Sequence, residues 1–305
     1  MKPTKNIFMI RPANFGFNSE TAESNHFQNK LTSSIIDTTQ KARAEFDLMV
    51  ELLTQKGIFV EVIEDTSTPI KPDAVFPNNW ISTHKDGTIY LYPMAATNRR
   101  LERREDVVDL LKRKFHAPKV VDLSYTESQN RYLEGTGSIV FDHRNKTAFA
   151  CLSPRTEEDL FTYFCHEIDY QPIHFKALDK YSNEIYHTNV MMCVGEKFAV
   201  ICLESIVESE EKNQLINHFQ NYNKSIIEIT LEQMNCFAGN MIELNNTDGR
   251  SIIVLSQSAY NSLSPEQTNK LSQFGELLPI SIPTIEKIGG GSVRCMIAEN
   301  FLTLK

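Results

Sequence analysis

The sequence has no apolar run approaching the ~18 residues needed to cross a bilayer. It has no C-x-x-C pair and no cysteine with a histidine partner at zinc-finger spacing. Basic excess is also missing: 31 Lys and Arg stand against 39 Asp and Glu, a net charge of -8 with a pI near 5.6. That balance excludes a nucleic-acid or anionic-membrane binder of the usual basic kind. The densest basic stretch, Arg99 to Arg104, is interleaved with Glu102, Glu105 and Asp106 and reads mostly as a solvated helix surface. Arg11 and Pro12 cut the first apolar run too short for a signal-peptide core, so the expected location is the cytoplasm. Gly and Pro number only 12 each in 305 residues, and 41% of residues are hydrophobic. This composition excludes low-complexity disorder and allows a substantial core. Of the six cysteines, Cys151, Cys165, Cys193, Cys202 and Cys236 lie in or beside apolar runs and read as small buried hydrophobes. Cys295 differs because it follows Gly289, Gly290, Gly291 and Arg294, a setting of bare backbone amides and a cation that suits a reactive thiol.

What the sequence does have is an internal period. A small polar motif, an apolar strand, a turn, a second apolar strand and an amphipathic helix recur from Pro72, from Leu133 and from Tyr186. The expected helices run near Arg103 to Phe115, Glu157 to His166 and Glu210 to Phe219. A fourth copy opens at Phe237, with a helix from Pro265 to Phe274 started by the cap Ser264, and a fifth opens at Gly289 and stops half-way. Taking Asn79, Gly137, Asn189, Asn240 and Arg294 as equivalent marks, the steps are 58, 52, 51 and 54 residues. The N-terminal strand NIFMIRP, a helix near Thr38 to Gln55 and the strand Gly57 to Ile63 can supply the missing half-unit. The fold expected for residues 1–305 is therefore one α/β domain, a five-bladed α/β propeller of pseudo-five-fold ββαβ repeats around a central channel.

In such a ring the polar residue opening each unit faces the common axis. Those residues are Asn78 and Asn79, Glu134, His187 and Asn189, Asn240, and Cys295. Cys, His and a carboxylate are a nucleophile, a proton-transfer group and its orienting partner. Taken singly, each has a plainer reading: a structural thiol, a core histidine, a turn-forming Glu or Asn. Their recurrence at one point of successive units favours the chemical reading.

GGGSVRC, LEGTGS and H-T-N at these positions resemble the guanidino-group modifying (pentein) superfamily of arginine deiminases, dimethylarginine hydrolases and amidinotransferases. The similarity spans essentially the whole chain and is strongest to the citrulline-utilisation hydrolases. It implies the five-fold propeller, Cys295 as nucleophile with His187 and Glu134, and no metal or organic cofactor. It also implies that Arg99 in TNRRLE and Arg155 in LSPRTEE bind the carboxylate of a small amino-acid substrate, with Asp73 as a candidate for its α-amino group. A third arginine expected before the glycine run is missing here.

Arginine deiminases carry Asp where this chain has Asn79 and Asn189. Two carboxylates clamp a guanidinium cation, whereas amides also donate and so suit the carbonyl oxygen of a ureido group. The expected reaction is Cys295-dependent hydrolysis of citrulline or a close analogue to ornithine, ammonia and carbon dioxide. The alternatives are arginine deimination or amidino transfer by the same residues, or a non-catalytic propeller that only binds. No nucleic-acid or membrane partner is expected, and a homodimer is the one assembly kept open.

Overall fold

A computed structural model describes residues 2–29 and 34–305. Among these residues, five three-stranded sheets repeat one topology. In each, the middle strand has an antiparallel neighbour, supplied by a hairpin in four of the five, and a crossover helix leads from it to a third strand parallel to it. Ile81–Thr83, Thr88–Leu91 and Lys119–Asp122 form the first such sheet. Val140–Asp142, Thr147–Cys151 and Gln171–Phe175 form the next. Met192–Val194, Phe198–Ile201 and Ser225–Glu228 follow, then Ile242–Asn245, Ser251–Ser256 and Glu276–Ile280. The last sheet joins distant parts of the chain. Its middle strand is Asn6–Arg11, which lies antiparallel to Ala298–Glu299, with Phe8 opposite Ala298, and parallel to Phe59–Glu64.

The crossover helices fall where the period places them: Glu105–Lys114, Glu158–Glu167, Ser209–Asn221 and Pro265–Ser272, with Ile35–Gln55 serving the last sheet. Ser264 caps its helix with a full capping box, its hydroxyl taking the Gln267 N–H while Gln267 returns a bond to the Ser264 N–H. A short pairing of Thr303–Leu304 with Phe115–His116 has no counterpart in the repeat pattern.

Alternation along the middle strands fixes where each sheet packs. Ile7 and Met9 join Phe46, Leu53, Val254 and Ile280 on one side, while Phe8 and Ile10 join Trp80, Ile89 and Leu111 on the other. Ala148 and Ala150 face Tyr90, Tyr92 and Phe164; Phe149 and Cys151 face Phe198, Val200 and Phe219. Ile253 and Leu255 belong to this last cluster, and Ile252 and Val254 to that of Ile7. Each seam buries large side chains, worth about 1.5–3 kcal/mol apiece against exposure.

Two expectations are corrected. Cys236 is exposed rather than buried, because it lies at the end of the Leu231–Asn235 helix. Arg99 and Glu102 are not solvated helix surface but buried at 3% and 2% exposure. They sit in a 3₁₀ turn, Thr97–Glu102, which precedes the helix and points inward. Alternating charge on paper cannot distinguish side chains facing water from side chains neutralising one another. No described helix is long and apolar enough to cross a membrane.

Candidate active site

The polar motif of three successive repeats forms a single helical turn just before its strand: Pro77–Asn79, Gly135–Ser138 and Thr188–Met191. Glu134 and His187 cap the second and third turns at their N-terminal ends, so these two side chains leave from matching places, whereas Asn79 is the last residue of the first turn. Glycine makes this close approach feasible. Gly135 has φ +47°, and a Cβ there would meet the Asn78 carbonyl oxygen at 2.3 Å. A Cβ on Gly137 would lie 2.4 Å from Asn79 Nδ2 and 2.7 Å from His187 Nδ1. Those two nitrogens therefore flank one bare backbone position.

His187 Nε2 lies 2.8 Å from Glu134 Oε2, and both side chains are buried. Glu134 Oε1 accepts the Ala95 N–H at 3.0 Å, and Arg155 Nη1 stands 3.6 Å from Oε2. Burial opposes the charge of Glu134, but Arg155 and the hydrogen bond with His187 outweigh it and hold the carboxyl at about 2. Burial pushes the His187 imidazole down to about 4 despite the pull of Glu134. At neutral pH the pair is thus carboxylate and neutral imidazole, with Nε2–H given to Glu134 and Nδ1 bare.

Cys295 follows a turn closed by its own N–H on the Ser292 carbonyl at 3.0 Å. Its sulfur receives two amide N–H groups, Asn240 Nδ2 at 3.3 Å and Asn189 Nδ2 at 3.5 Å. Burial pushes Cys151 and Cys193 up to about 12 and raises Cys165 and Cys202 as well, so these four stay protonated.

Cys295, His187, Asn79, Arg99, Arg155 and Asp73 line one small cavity, with Phe76, Tyr186 and the glycine run. The remaining predicted residues sit elsewhere. Glu134 lies behind His187. Asn189 lies behind the sulfur and faces a second cavity with Arg294, Met192 and Met241. Asn78 is fully buried and does not line the Cys295 cavity, because successive residues of one tight turn point in different directions.

Both arginines are already engaged. Arg99 grips Glu102 with Nε and Nη2 at 2.9 Å each and gives Nη1 to Asn79 Oδ1 at 2.8 Å. Burial lifts the Glu102 carboxyl to about 7 against the attraction of Arg99. Arg155 bonds Ser24 Oγ and the Thr21 carbonyl and stacks 4.8 Å from the Tyr186 ring centre. Asp73 accepts from Asn18 Nδ2 at 2.7 Å, and its carboxyl is raised by burial despite Arg99.

Sequence reasoning missed Glu102, Tyr186 and the whole segment that covers the cavity. Thr21, Asn25 and Gln28 line it, and Gln28 Nε2 reaches the Gly289 carbonyl at 3.1 Å. A cluster of Asn, Ser and Thr before the first long helix was the available signal. Among the described residues no group of three His, Cys, Asp or Glu side chains could hold a metal ion.

A family model described as "N,N dimethylarginine dimethylhydrolase, eukaryotic" matches residues 11–302. The chain belongs to this family of guanidino-group modifying enzymes. A comparison with curated protein sequences gives no match. Among solved structures, the N-terminal domain of ArgZ bound to substrate, an arginine dihydrolase from the ornithine-ammonia cycle in cyanobacteria, is 17% identical with a TM-score of 0.73. That match covers 96% of this chain and 97% of the domain. AgrE in complex with L-arginine is 15% identical at TM-score 0.75 over 96% of this chain. A dimethylarginine dimethylaminohydrolase carrying an S-methyl-L-thiocitrulline adduct is 17% identical at TM-score 0.65, covering 97% of this chain and all of its own. The guanidino-modifying family member spans 40% of the longer ArgZ and AgrE chains. At these identities the likeness establishes the mixed α/β fold.

Proposed function

We propose that the chain is a cysteine hydrolase that cleaves the ureido end of citrulline or a close analogue. The observation that carries this reading is the amide nitrogen of Asn79, buried beside His187 without a hydrogen-bond partner. A buried donor without a partner costs about 1–3 kcal/mol, and a carbonyl oxygen in the cavity removes that cost. An amidinium offers only N–H groups there.

Cys295, as thiolate, attacks the ureido carbon after its proton passes to neutral His187. The bond from that carbon to the δ-nitrogen breaks, and His187 returns the proton to the departing ornithine. Water deprotonated by His187 then attacks the S-carbamoyl group, freeing Cys295 and carbamate, which falls to ammonia and carbon dioxide. Glu134 holds the imidazole orientation and supports its transient charge, and the Asn79 N–H faces the oxygen as it gains charge. Arg155 and Asp73 are our candidates for the amino-acid end. We read the five sheets as blades of a single propeller, a reading supported by their shared topology and by the strand pairing of Phe8 with Ala298.

A second reading, attack on arginine by the same cysteine, is favoured by the likeness to ArgZ and AgrE. Initial rates with citrulline and with arginine, products identified by mass, separate the two. Ornithine from citrulline at the higher rate is expected; faster turnover of arginine overturns the ureido reading.

A further inference from the structure

Asn79 could in principle turn either edge of its amide to the cavity, and the choice decides what it can recognise. One edge accepts and the other donates. The neighbour across from it removes the choice. Arg99 carries only N–H groups, and its Nη1 lies 2.8 Å from Asn79 Oδ1. Were the amide reversed, N–H would face N–H. Arg99 cannot swing away, because Glu102 holds its Nε and Nη2 at 2.9 Å each and both residues are buried. The free edge of Asn79 is then its Nδ2, which is the atom left without a partner. It sits by Gly137 with His187 Nδ1 on the other side, at the reacting end of the cavity.

We propose that the buried Arg99–Glu102 pair fixes the hydrogen-bond polarity of Asn79 and thereby selects a substrate whose end group presents oxygen rather than an amidine nitrogen. This rests on the ureido reading above and names the residues that set its specificity. Citrulline and arginine differ at that end by one group, a carbonyl oxygen against an N–H₂ of the cation. An amide locked as donor matches the first and opposes the second. Arg99 acts here as a positioning residue, through Asn79. Any contact it makes with the amino-acid carboxylate is common to both substrates and drops out of their ratio.

The test is the ratio of kcat/KM for citrulline to that for arginine. Arg99→Lys keeps a neighbour that can only donate, so the ratio should stay within about threefold of wild type even if both rates fall. Arg99→Gln offers an acceptor as readily as a donor, lets Asn79 turn, and should lower the ratio about tenfold or more, the scale of one hydrogen bond gained and lost. Glu102→Gln, which loosens the grip on Arg99, should fall between them. If turnover in a variant is too slow to measure, the same ratio is read as dissociation constants by calorimetry on a Cys295→Ser background. A Gln variant with the wild-type ratio, or a Lys variant that loses as much as Gln, overturns the lock. Wild-type protein that prefers arginine overturns the ureido reading itself. Wild-type preference for citrulline with a ratio unmoved in every variant overturns only the role of the pair.

Discussion

The side-chain amide of Asn240 holds the sulfur of Cys295 at 3.3 Å from an orientation fixed at both of its edges. Its Oδ1 accepts the Arg294 backbone N–H at 3.1 Å, and its Nδ2 also donates to the Asn189 carbonyl at 2.8 Å. Neither backbone partner can exchange roles, so an N–H is always presented to the sulfur. A donor aimed at a thiolate is worth about 1.5–3 kcal/mol. Asn240→Ala should therefore slow alkylation of Cys295 by iodoacetamide at fixed neutral pH about tenfold or more, and lower kcat by about 10²-fold. An unchanged alkylation rate would show that the amide only packs.

Proton uptake by His187 should mark the acid side of the activity profile. Its imidazole is pushed by burial from 6.5 to about 4, so the neutral form needed to take the thiol proton persists well below pH 6. The acid limb of kcat/KM should fall near pH 4, not near 6.5. Stability follows the same sign. The unfolded chain takes up protons first, so the contribution of neutral His187 is complete above pH 6.5 and is lost as pH falls through 4. Glu134, held at about 2 against 4.5, adds a loss between those values. Thermal melts of wild type and His187→Gln should converge as pH falls from 6.5 to 4; parallel curves would deny the linkage.

A single added methyl group should disable the site without touching its chemistry. The Cβ of Gly137→Ala would stand 2.4 Å from Asn79 Nδ2 and 2.7 Å from His187 Nδ1, so both side chains must move. Loss of kcat/KM by about 10²-fold is expected, in line with the effect of ångström-scale misplacement. Wild-type kinetics in this variant would mean that the two nitrogens need not stay where they are.

The two asparagines that read alike in the sequence should respond differently to charge. Asn79→Asp makes the edge facing the cavity an acceptor and should raise the preference for arginine over citrulline about tenfold. Asn189→Asp would instead replace the amide N–H 3.5 Å from Cys295 with a carboxylate oxygen, and should depress turnover of both substrates equally. Equal effects from the two variants would contradict the placement of Asn189 behind the sulfur.

The repeat register carried the architecture because each unit buries alternating side chains on two neighbours, which leaves a period in the sequence that survives divergence. It also brought out the short polar motif that precedes the first strand in three units, although Asn79 ends its turn while Glu134 and His187 begin theirs. What it could not reveal is whatever departs from the period. The segment around Thr21 to Gln28 belongs to no repeat, and its contacts with Arg155 and Gly289 bridge more than a hundred residues. Glu102 was hidden for another reason. A buried ion pair and a solvated one have the same composition, and only the inward turn of Thr97–Glu102 separates them. Equivalence in register likewise did not settle which side of Cys295 each asparagine occupies.

The pairing of Phe8 with Ala298 also ties the thiol to a strand nearly three hundred residues away. Cys295 stands three residues before Ala298, so one short segment carries both the sulfur and the strand that pairs with Asn6–Arg11. Loosening Asn6–Arg11 is therefore expected to disturb the seat of the sulfur against Asn189 and Asn240 although that strand contributes no side chain to the cavity.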